Sequence, residues 1–387
     1  MIRKFLMNAT VREFLRIILA VTISLLLGFL ITLLVSEDPI VAYKAFLFGP
    51  LTKLNRAGEW IKESITLCLL GLAVAIVFKA NLWSLGQEGQ MLLGALVSGS
   101  IALFVPLPAI LRIPLALIAA MLVGFLLGLL PGYLKAHLNA NEIVSTLMLN
   151  AIALRLYDYF LIFYIKPENA GYNASAFFPK EGVLPNFIPN LPFLADFYTL
   201  MVNKFNVTIM FYIAILMVVG TWFLMYRTPF GYELRLLGSN IKFARYGGVN
   251  TRRTVALAMA ISGILAGLAG AHLAMGIHTK LIANITVSLG FEGIVVALLA
   301  RNNPIGVPFA ALAYGYMRAG ADIMERSSDV SREMVLIIQA IIILLVTAER
   351  VLPIVQQRVS AARAAKANGN GKDNGQAALE EGGSDVA

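Results

Sequence analysis

The sequence predicts an all-α, polytopic membrane protein with about ten transmembrane helices. Three observations point there. Hydrophobic residues make up 59% of the 387 residues and charged residues only 14%, against about 45–50% and about 25% in soluble domains. The apolar residues come in unbroken blocks close to the roughly 20 residues a helix needs to cross hydrocarbon. They lack the alternation of a barrel strand, and helices are then the remaining way to satisfy backbone polar groups in lipid. Finally, Lys and Arg collect in alternate connecting segments, as they do in cytoplasmic loops.

The blocks follow in order. Phe14–Val35 comes after Arg3, Lys4 and Arg12, holds Arg16 near its start, and opens into Glu37 and Asp38. It is long and lacks a small-residue cleavage pattern, so it is expected to be a span rather than a cleaved leader. Ile65–Phe78 and Gly89–Val105 come next, the latter short. Ile110–Leu130 carries Gly124-x-x-x-Gly128, continued by Gly132, a small-residue seam for close helix packing. Ile143–Ile165 is opened by Asn141-Glu142, and Val207–Tyr226 runs into a basic segment. Val255–Met275 holds a second seam, Gly263-x-x-x-Gly267. Leu289–Ala300 is short, and Ile305–Gly320 and Val335–Val351 complete the set.

The basic regions are the N-terminal segment, residues 226–254 and the start of the tail. Residues 36–63 carry four basic and four acidic side chains, residues 166–206 three of each, and residues 322–333 are net acidic. Ten spans with both termini cytoplasmic put every basic region inside and every neutral or acidic one outside. Residues 1–355 are thus expected to form one transmembrane domain in the cell membrane. The tail, 356–387, is rich in Ala, Gly, Asn and Glu, lacks a core-forming pattern, and is expected to be a disordered cytoplasmic tail.

The single cysteine, Cys68, admits neither an intrachain disulfide nor a thiolate metal site. His137, His272 and His278 are scattered, so no metal site is expected. No nucleophile–base pair and no phosphate loop is readable: Gly369-Asn370-Gly371-Lys372 has neither the spacing nor the Ser/Thr. The net charge of +9 is accounted for by cytoplasmic loops; no basic folded domain stands outside the membrane blocks to suggest nucleic acid.

Ser84-Leu85-Gly86-Gln87-Glu88-Gly89 reappears as Ser288-Leu289-Gly290-Phe291-Glu292-Gly293, each copy just before a short block. Five crossings between them would invert the second copy relative to the first. Short, Gly-interrupted segments in matching halves mark solute sites in many transporters, because broken helices expose backbone groups tolerated only where they line a cavity or find partners. Glu88 and Glu292 are carboxylates at or within membrane blocks, a position usually interior and functional; the alternative is capping of a helix start. Asn81, Ser84, Gln87 and Gln90 add uncharged donors and acceptors, which suits a neutral polar solute better than an ion. Glu142, Thr146 and Asn150 fall at i, i+4 and i+8, with Tyr157 beyond. This polar stripe either faces a watery path or makes interhelical hydrogen bonds.

Residues 226–254 are too patterned for a simple connector. Leu234, Leu237 and Ile241 recur at helical spacing, Gly238 interrupts, and Phe243, Tyr246 and Val249 follow. Two short amphipathic helices joined at 238–240 are expected, lying against a cytoplasmic partner or on anionic lipid.

Four segments carry a family resemblance: NLWSLGQEGQMLLGA (81–95), NEIVSTLMLN (141–150), TPFGYELRLLGSNIKFARYGGVN (228–250) and GFEGIVVALLARNNPIG (290–306). With the blocks between them the chain resembles, over about 10–355, permease subunits of ABC importers for branched-chain amino acids, simple sugars and nucleosides. The second segment is most similar to the nucleoside branch. Ser84 departs from the frequent Asn, Glu292 from Asp, and Ile241-Lys242 from an Asn-Pro-Glu-like run. The resemblance implies a type II importer fold and a transport subunit rather than an enzyme. It also implies a second, non-identical permease chain (a heterodimer), a cytoplasmic ATPase that uses the ATP, and an external substrate-binding lipoprotein; no cofactor is expected on this chain. It places the substrate pathway at Asn81, Ser84, Gln87, Glu88, Gln90, Glu142, Thr146, Asn150, Phe291 and Glu292. Coupling to the ATPase falls on Gly231, Glu233, Arg235, Gly238, Asn240, Ala244, Arg245, Tyr246 and Gly248. The expected cargo is a nucleoside, with sugars or branched-chain amino acids as alternatives. A proton-coupled secondary transporter built on the two glutamates is the rival mechanism.

Overall fold

A computed structural model describes residues 26–34, 36–168, 170–186, 207–286 and 288–331, with 334, 335, 337, 340 and 341. Every apolar block from the second to the ninth is helical. The helices are α1 (Pro39–Thr52), α2 (Leu54–Lys79), α3 (Gln87–Phe104), α4 (Ala109–Leu138), α5 (Glu142–Phe160) and α6 (Met210–Arg227). They continue with α7 (Pro229–Ser239), α8 (Ile241–Tyr246), α9 (Thr251–His272), α10 (Leu289–Leu299) and α11 (Val307–Ser327). Single π-turns, Leu161–Ile165 and Leu273–His278, prolong α5 and α9. Among the described residues no strand forms beyond an isolated bridge, Ala174 with Ile282. The first block is described only at 26–35, Val35 excepted, and the tenth only at scattered residues; the tail lies outside the described residues.

Among the described residues, five helices are long and apolar enough to cross a membrane: Leu54–Lys79, Ala109–Leu138, Glu142–Ile165, Met210–Arg227 and Thr251–His278, with Leu289–Leu299 a shorter apolar helix. One expectation needs correcting. Residues 36–63 are not a simple external loop: α1 and the first turns of α2 occupy most of them. Arg56, Glu59, Lys62 and Glu63 interrupt the apolar run but not the helix, since charged straight-chain residues have good helix propensity.

The described residues fall into two compact units, one drawn from Met1–Ala45 and Ala321–Ala387, the other Phe46–Gly320. In the first, Phe29 packs on Tyr43 with ring centroids 5.2 Å apart. The Asp329 carboxylate there accepts from Ser36 Oγ (2.5 Å) and Glu37 N (2.6 Å), contacts that hold its pKa below the ordinary aspartate value.

The second unit is built around α2 and α9. Some 78% of the apolar stretch of each is buried, against 33% for α4 and 22% for α5 and α6, so the latter three turn broad apolar faces outward. Glycine makes α9 central. A Cβ on Gly263 would lie 2.0 Å from the Gly124 carbonyl oxygen, and one on Gly267 2.2 Å from that of Ala120. On its other side, a Cβ on Gly270 would lie 2.0 Å from the Met91 carbonyl oxygen. The two expected seams therefore face each other, and α9 wedges backbone to backbone between α4 and α3, the approach that small residues permit in lipid.

Beyond α5 and α9 the chain zips together. Tyr157 Oη donates to the Ile282 carbonyl (2.8 Å), Ser175 N to Leu281 O (2.8 Å) and Leu184 N to Met275 O (3.1 Å). These bonds satisfy irregular backbone that could not remain open at membrane depth.

Candidate functional site: the SLGxEG turns and the coupling helices

The first SLGxEG copy forms the turn into α3. Two side chains of the polar stripe on α5 hold it. Asn150 Oδ1 accepts from Gly89 N (2.9 Å) and Asn150 Nδ2 donates to Leu85 O (2.7 Å). Thr146 Oγ1 accepts from Leu85 N (3.1 Å) and donates to Glu142 O one turn back (2.6 Å). Gly89 is required here, because a Cβ would sit 2.8 Å from Asn150 Oδ1. The stripe thus makes interhelical hydrogen bonds at Thr146, Asn150 and Tyr157. Glu142, at its head, pairs with Lys135 at the end of α4 (2.7 Å), while Asn141 Oδ1 caps α5 by accepting from Ile143 N (2.9 Å).

The two copies of the motif meet at Glu88. Its Oε1 accepts from Thr286 Oγ1, and its Oε2 accepts from Gly290 N (2.7 Å), inside the second copy. A Cβ on Gly290 would lie 2.6 Å from Glu88 N, so the starts of α3 and α10 abut. Each helix start carries a partial positive charge, and one carboxylate between them offsets both. Along the described chain the first copy runs into α3, and the long apolar helices α4, α5, α6 and α9 lie between it and the second copy.

Glu292 does not mirror Glu88. Its Oε1 pairs with Arg318 Nη1 on α11 (2.5 Å), and Arg318 Nε lies 3.6 Å from Glu63 Oε2 on α2. Neither Arg318 nor Glu63 was among the sequence candidates. An arginine within the ninth apolar block was itself a signal; Glu63, just ahead of the second block, was not. Ser84, Gln87 and Gln90 are buried. Gln87 Nε2 donates to Ser262 Oγ (3.3 Å), and the side-chain oxygens of Gln87 and Gln90 have no hydrogen-bond partner among the described residues. Phe291 is partly exposed. Asn81 is exposed and left-handed (φ 57°).

The patterned loop is two helices, α7 and α8. Thr228 Oγ1 caps α7 by accepting from Gly231 N (3.1 Å), with Pro229 at the first helical position, where its missing N–H costs nothing. Asn240 Oδ1 caps α8 by accepting from Lys242 N (3.0 Å) and Phe243 N (3.1 Å). The break is at Asn240, whose backbone is extended (φ −160°, ψ 110°), not at Gly238, which lies within α7. Gly238 is a contact glycine instead: a Cβ there would fall 2.1 Å from the Lys79 carbonyl oxygen, and one on Gly231 2.2 Å from that of Leu224. Ile241 accordingly opens α8 rather than extending the stripe of Leu234 and Leu237.

The coupling candidates separate by direction. Glu233 Oε2 accepts from Thr254 Oγ1 on α9 (2.9 Å). Arg235 Nη1 donates to Met225 O, its guanidinium 5.3 Å from the Tyr226 ring centroid. With Gly231, Gly238 and the buried Ala244, they fasten α7 and α8 to the helix bundle, whereas Asn240 is exposed and acts only as the cap of α8. Arg245, Tyr246 and Gly248 are exposed, Tyr246 at 92%, and Phe243 joins them.

Comparison with known proteins decides the family. Residues 56–347 match the branched-chain amino acid transport system / permease component family. The chain belongs to it. The permease is 32% identical over 330 residues to the guanosine ABC transporter permease protein NupP of Bacillus subtilis, covering 85% of this chain and 91% of that one. It is 29% identical to the nucleoside ABC transporter permease protein NupB of Lactococcus lactis (93% and 98% covered). It is 31% identical to the glucose ABC transporter permease protein TsgB13 of Haloferax volcanii (86% and 87% covered). No solved structure matches. The permease is therefore an all-α, polytopic ABC transport subunit in a membrane, not an enzyme, and works with ATPase and substrate-binding partners.

Proposed function

We propose that this permease forms one half of the pore of an ATP-driven importer that moves nucleosides into the cytoplasm across the cell membrane. The observation that carries the reading is the Glu88 bridge. Helix starts that meet at mid-membrane are natural seats for an anionic group of a solute. Here the chain's own carboxylate takes that seat, accepting from Thr286 and Gly290. What remains nearby is uncharged and polar, including the buried oxygens of Gln87 and Gln90. A neutral solute suits such a path better than an amino acid, whose carboxylate would compete with Glu88. Relatives named for nucleoside and guanosine transport support the nucleoside class; the glucose relative favours a sugar as the second reading.

The pathway is assigned to Asn81, Ser84, Gln87, Glu88, Gln90, Glu142, Thr146, Asn150, Phe291 and Glu292, with Thr146 and Asn150 acting by holding the turn. Both termini and α7–α8 are assigned to the cytoplasm, residues 1–355 to the membrane domain and 356–387 to a disordered tail. The ATPase docks on α8 and uses the ATP; this chain binds no cofactor. A second, non-identical permease completes the pore, in a type II fold with inverted halves, and a lipoprotein delivers the solute. Support for a heteromeric pore is that two guanosine permease proteins of one bacterium, NupP and NupQ, both resemble this chain.

The test is uptake of labelled nucleoside with an ATPase-dead partner subunit. Uptake should vanish, and unlabelled guanosine rather than glucose should compete in the intact system. Uptake that persists without hydrolysis, or that an uncoupler abolishes while ATP stays high, would overturn the assignment.

A further inference from the structure

A cleft of about 480 Å³ opens behind the coupling helices. Its walls are the ends of α2 and α4, the starts of α5 and α9, and the junction of α7 with α8. Four of these, α2, α4, α5 and α9, belong to segments long and apolar enough to cross a membrane. Their ends mark the level of a bilayer surface, so the cleft lies at headgroup depth.

The electrostatics are one-sided. Three helix C-termini (α2, α4, α7) and three N-termini (α5, α8, α9) border the cleft, so their dipole ends largely offset. Formal charge then decides. Lys135, Arg245 and Arg252 stand against Glu142 alone, with His137 beside them. Lys135 and Glu142 neutralise each other at 2.7 Å. Arg245, near the end of α8, and Arg252, at the start of α9, have no carboxylate partner among the described residues, and both are exposed. Two guanidiniums lining one recess at headgroup depth supply planar, forked donors of the kind that match phosphate oxygens. Basic recesses between membrane helices hold anionic headgroups on the same principle.

We infer that this cleft is a binding site for the phosphate group of an anionic phospholipid, wedged between the coupling helices and the bundle they move against. A headgroup there would stiffen the contact of α7 and α8 with α2 and α4. The inference needs only the membrane level of the cleft and does not depend on which solute is carried.

The permease, purified with its partner chains, is placed in nanodiscs of phosphatidylcholine containing phosphatidylglycerol, and retained phosphatidylglycerol is counted by native mass spectrometry. Arg252→Gln should lower retention about fivefold. Arg253→Gln, the same charge change on a neighbour outside the cleft, should leave it unchanged. Should Arg252→Gln fail to fold, Arg245→Gln, read for lipid retention alone, tests the α8 side of the cleft. Glycerol 3-phosphate distinguishes the sources: phosphatidylglycerol that resists it marks a lipid site, and displacement marks a site that also takes soluble phosphate. Equal retention in wild type and both cleft variants overturns the inference. So does an Arg252→Gln complex that sheds its ATPase with lipid retention intact, since the cleft would then receive an acidic side chain of that subunit.

Discussion

Asn150 and Glu88 act on the same turn from opposite sides. Asn150 fills both a donor and an acceptor of the backbone between Leu85 and Gly89. Its truncation to alanine leaves both buried groups without that partner, at about 1–3 kcal/mol each. Asn150→Ala should therefore lower the thermal unfolding temperature, and Asn150→Asp, which keeps the acceptor for Gly89 N, should recover part of the loss. Glu88→Gln retains an acceptor for Gly290 N but removes the charge between two helix starts, worth up to about 1 kcal/mol at each. Nucleoside uptake should fall more than protein yield; a drop in yield alone would reduce Glu88 to a structural cap. Arg318 is a different case, since it lies between Glu63 and Glu292. Arg318→Ala leaves two carboxylates facing each other within the bundle, and breaking a buried pair by removing one partner costs about 3–5 kcal/mol. Denaturation of Arg318→Ala and of the double variant Arg318→Ala/Glu292→Gln should show the second change restoring stability.

At the scale of elements, the seam between α4 and α9 and the seat of α7 on α2 make the same demand on glycine. Both bring a backbone carbonyl to within about 2 Å of where a Cβ would stand, a distance no side chain tolerates without moving the helix. Gly263→Ala should destabilise the bundle by about 1–3 kcal/mol, the range for forced overpacking, read as loss of folded protein on heating in detergent. Gly238→Ala should spare the bundle and lift α7 from the end of α2, so that ATP hydrolysis continues while uptake falls. Tyr246→Ala touches neither seam, as Tyr246 is 92% exposed. It should leave the fold intact and weaken co-purification of the ATPase; unaltered co-purification would remove α8 from the docking face.

At the scale of the whole molecule, the permease concentrates its packing on α2 and α9 and leaves α4, α5 and α6 with largely unburied apolar faces. On α5 and the π-turn that prolongs it these faces include Met148, Ile152 and Phe163. Lipid and partner subunits are surroundings that suit such faces, and this sets the expected behaviour of the isolated chain. Produced without its partners, it should insert into membranes and carry no solute.

Much of this architecture was legible in the residues alone. Uninterrupted apolar blocks allow only helices in lipid, so eight of them could be recognised, although α2 begins well before its block and α4 and α11 run well past theirs. Asn141-Glu142 marked the start of α5, whereas the caps Thr228 and Asn240 of α7 and α8 went unread and only a joint at 238–240 was placed. The repeated SLGxEG motif was equally visible. What the motif's side chains touch was not. Glu88 bonds to Gly290, Asn150 to Leu85 and Gly89, and Arg318 to Glu63 and Glu292, all between segments far apart in the chain. The first turns of α2 were missed because charged residues interrupt an apolar block without interrupting a helix. Gly238 was mistaken for a break because a glycine that admits a passing carbonyl looks, in one dimension, like a glycine that ends a helix. Local periodicity and short-range hydrogen bonding are written along the chain; the pairing of distant polar groups is decided only when helices pack, because burial then leaves each group to the partners within its reach.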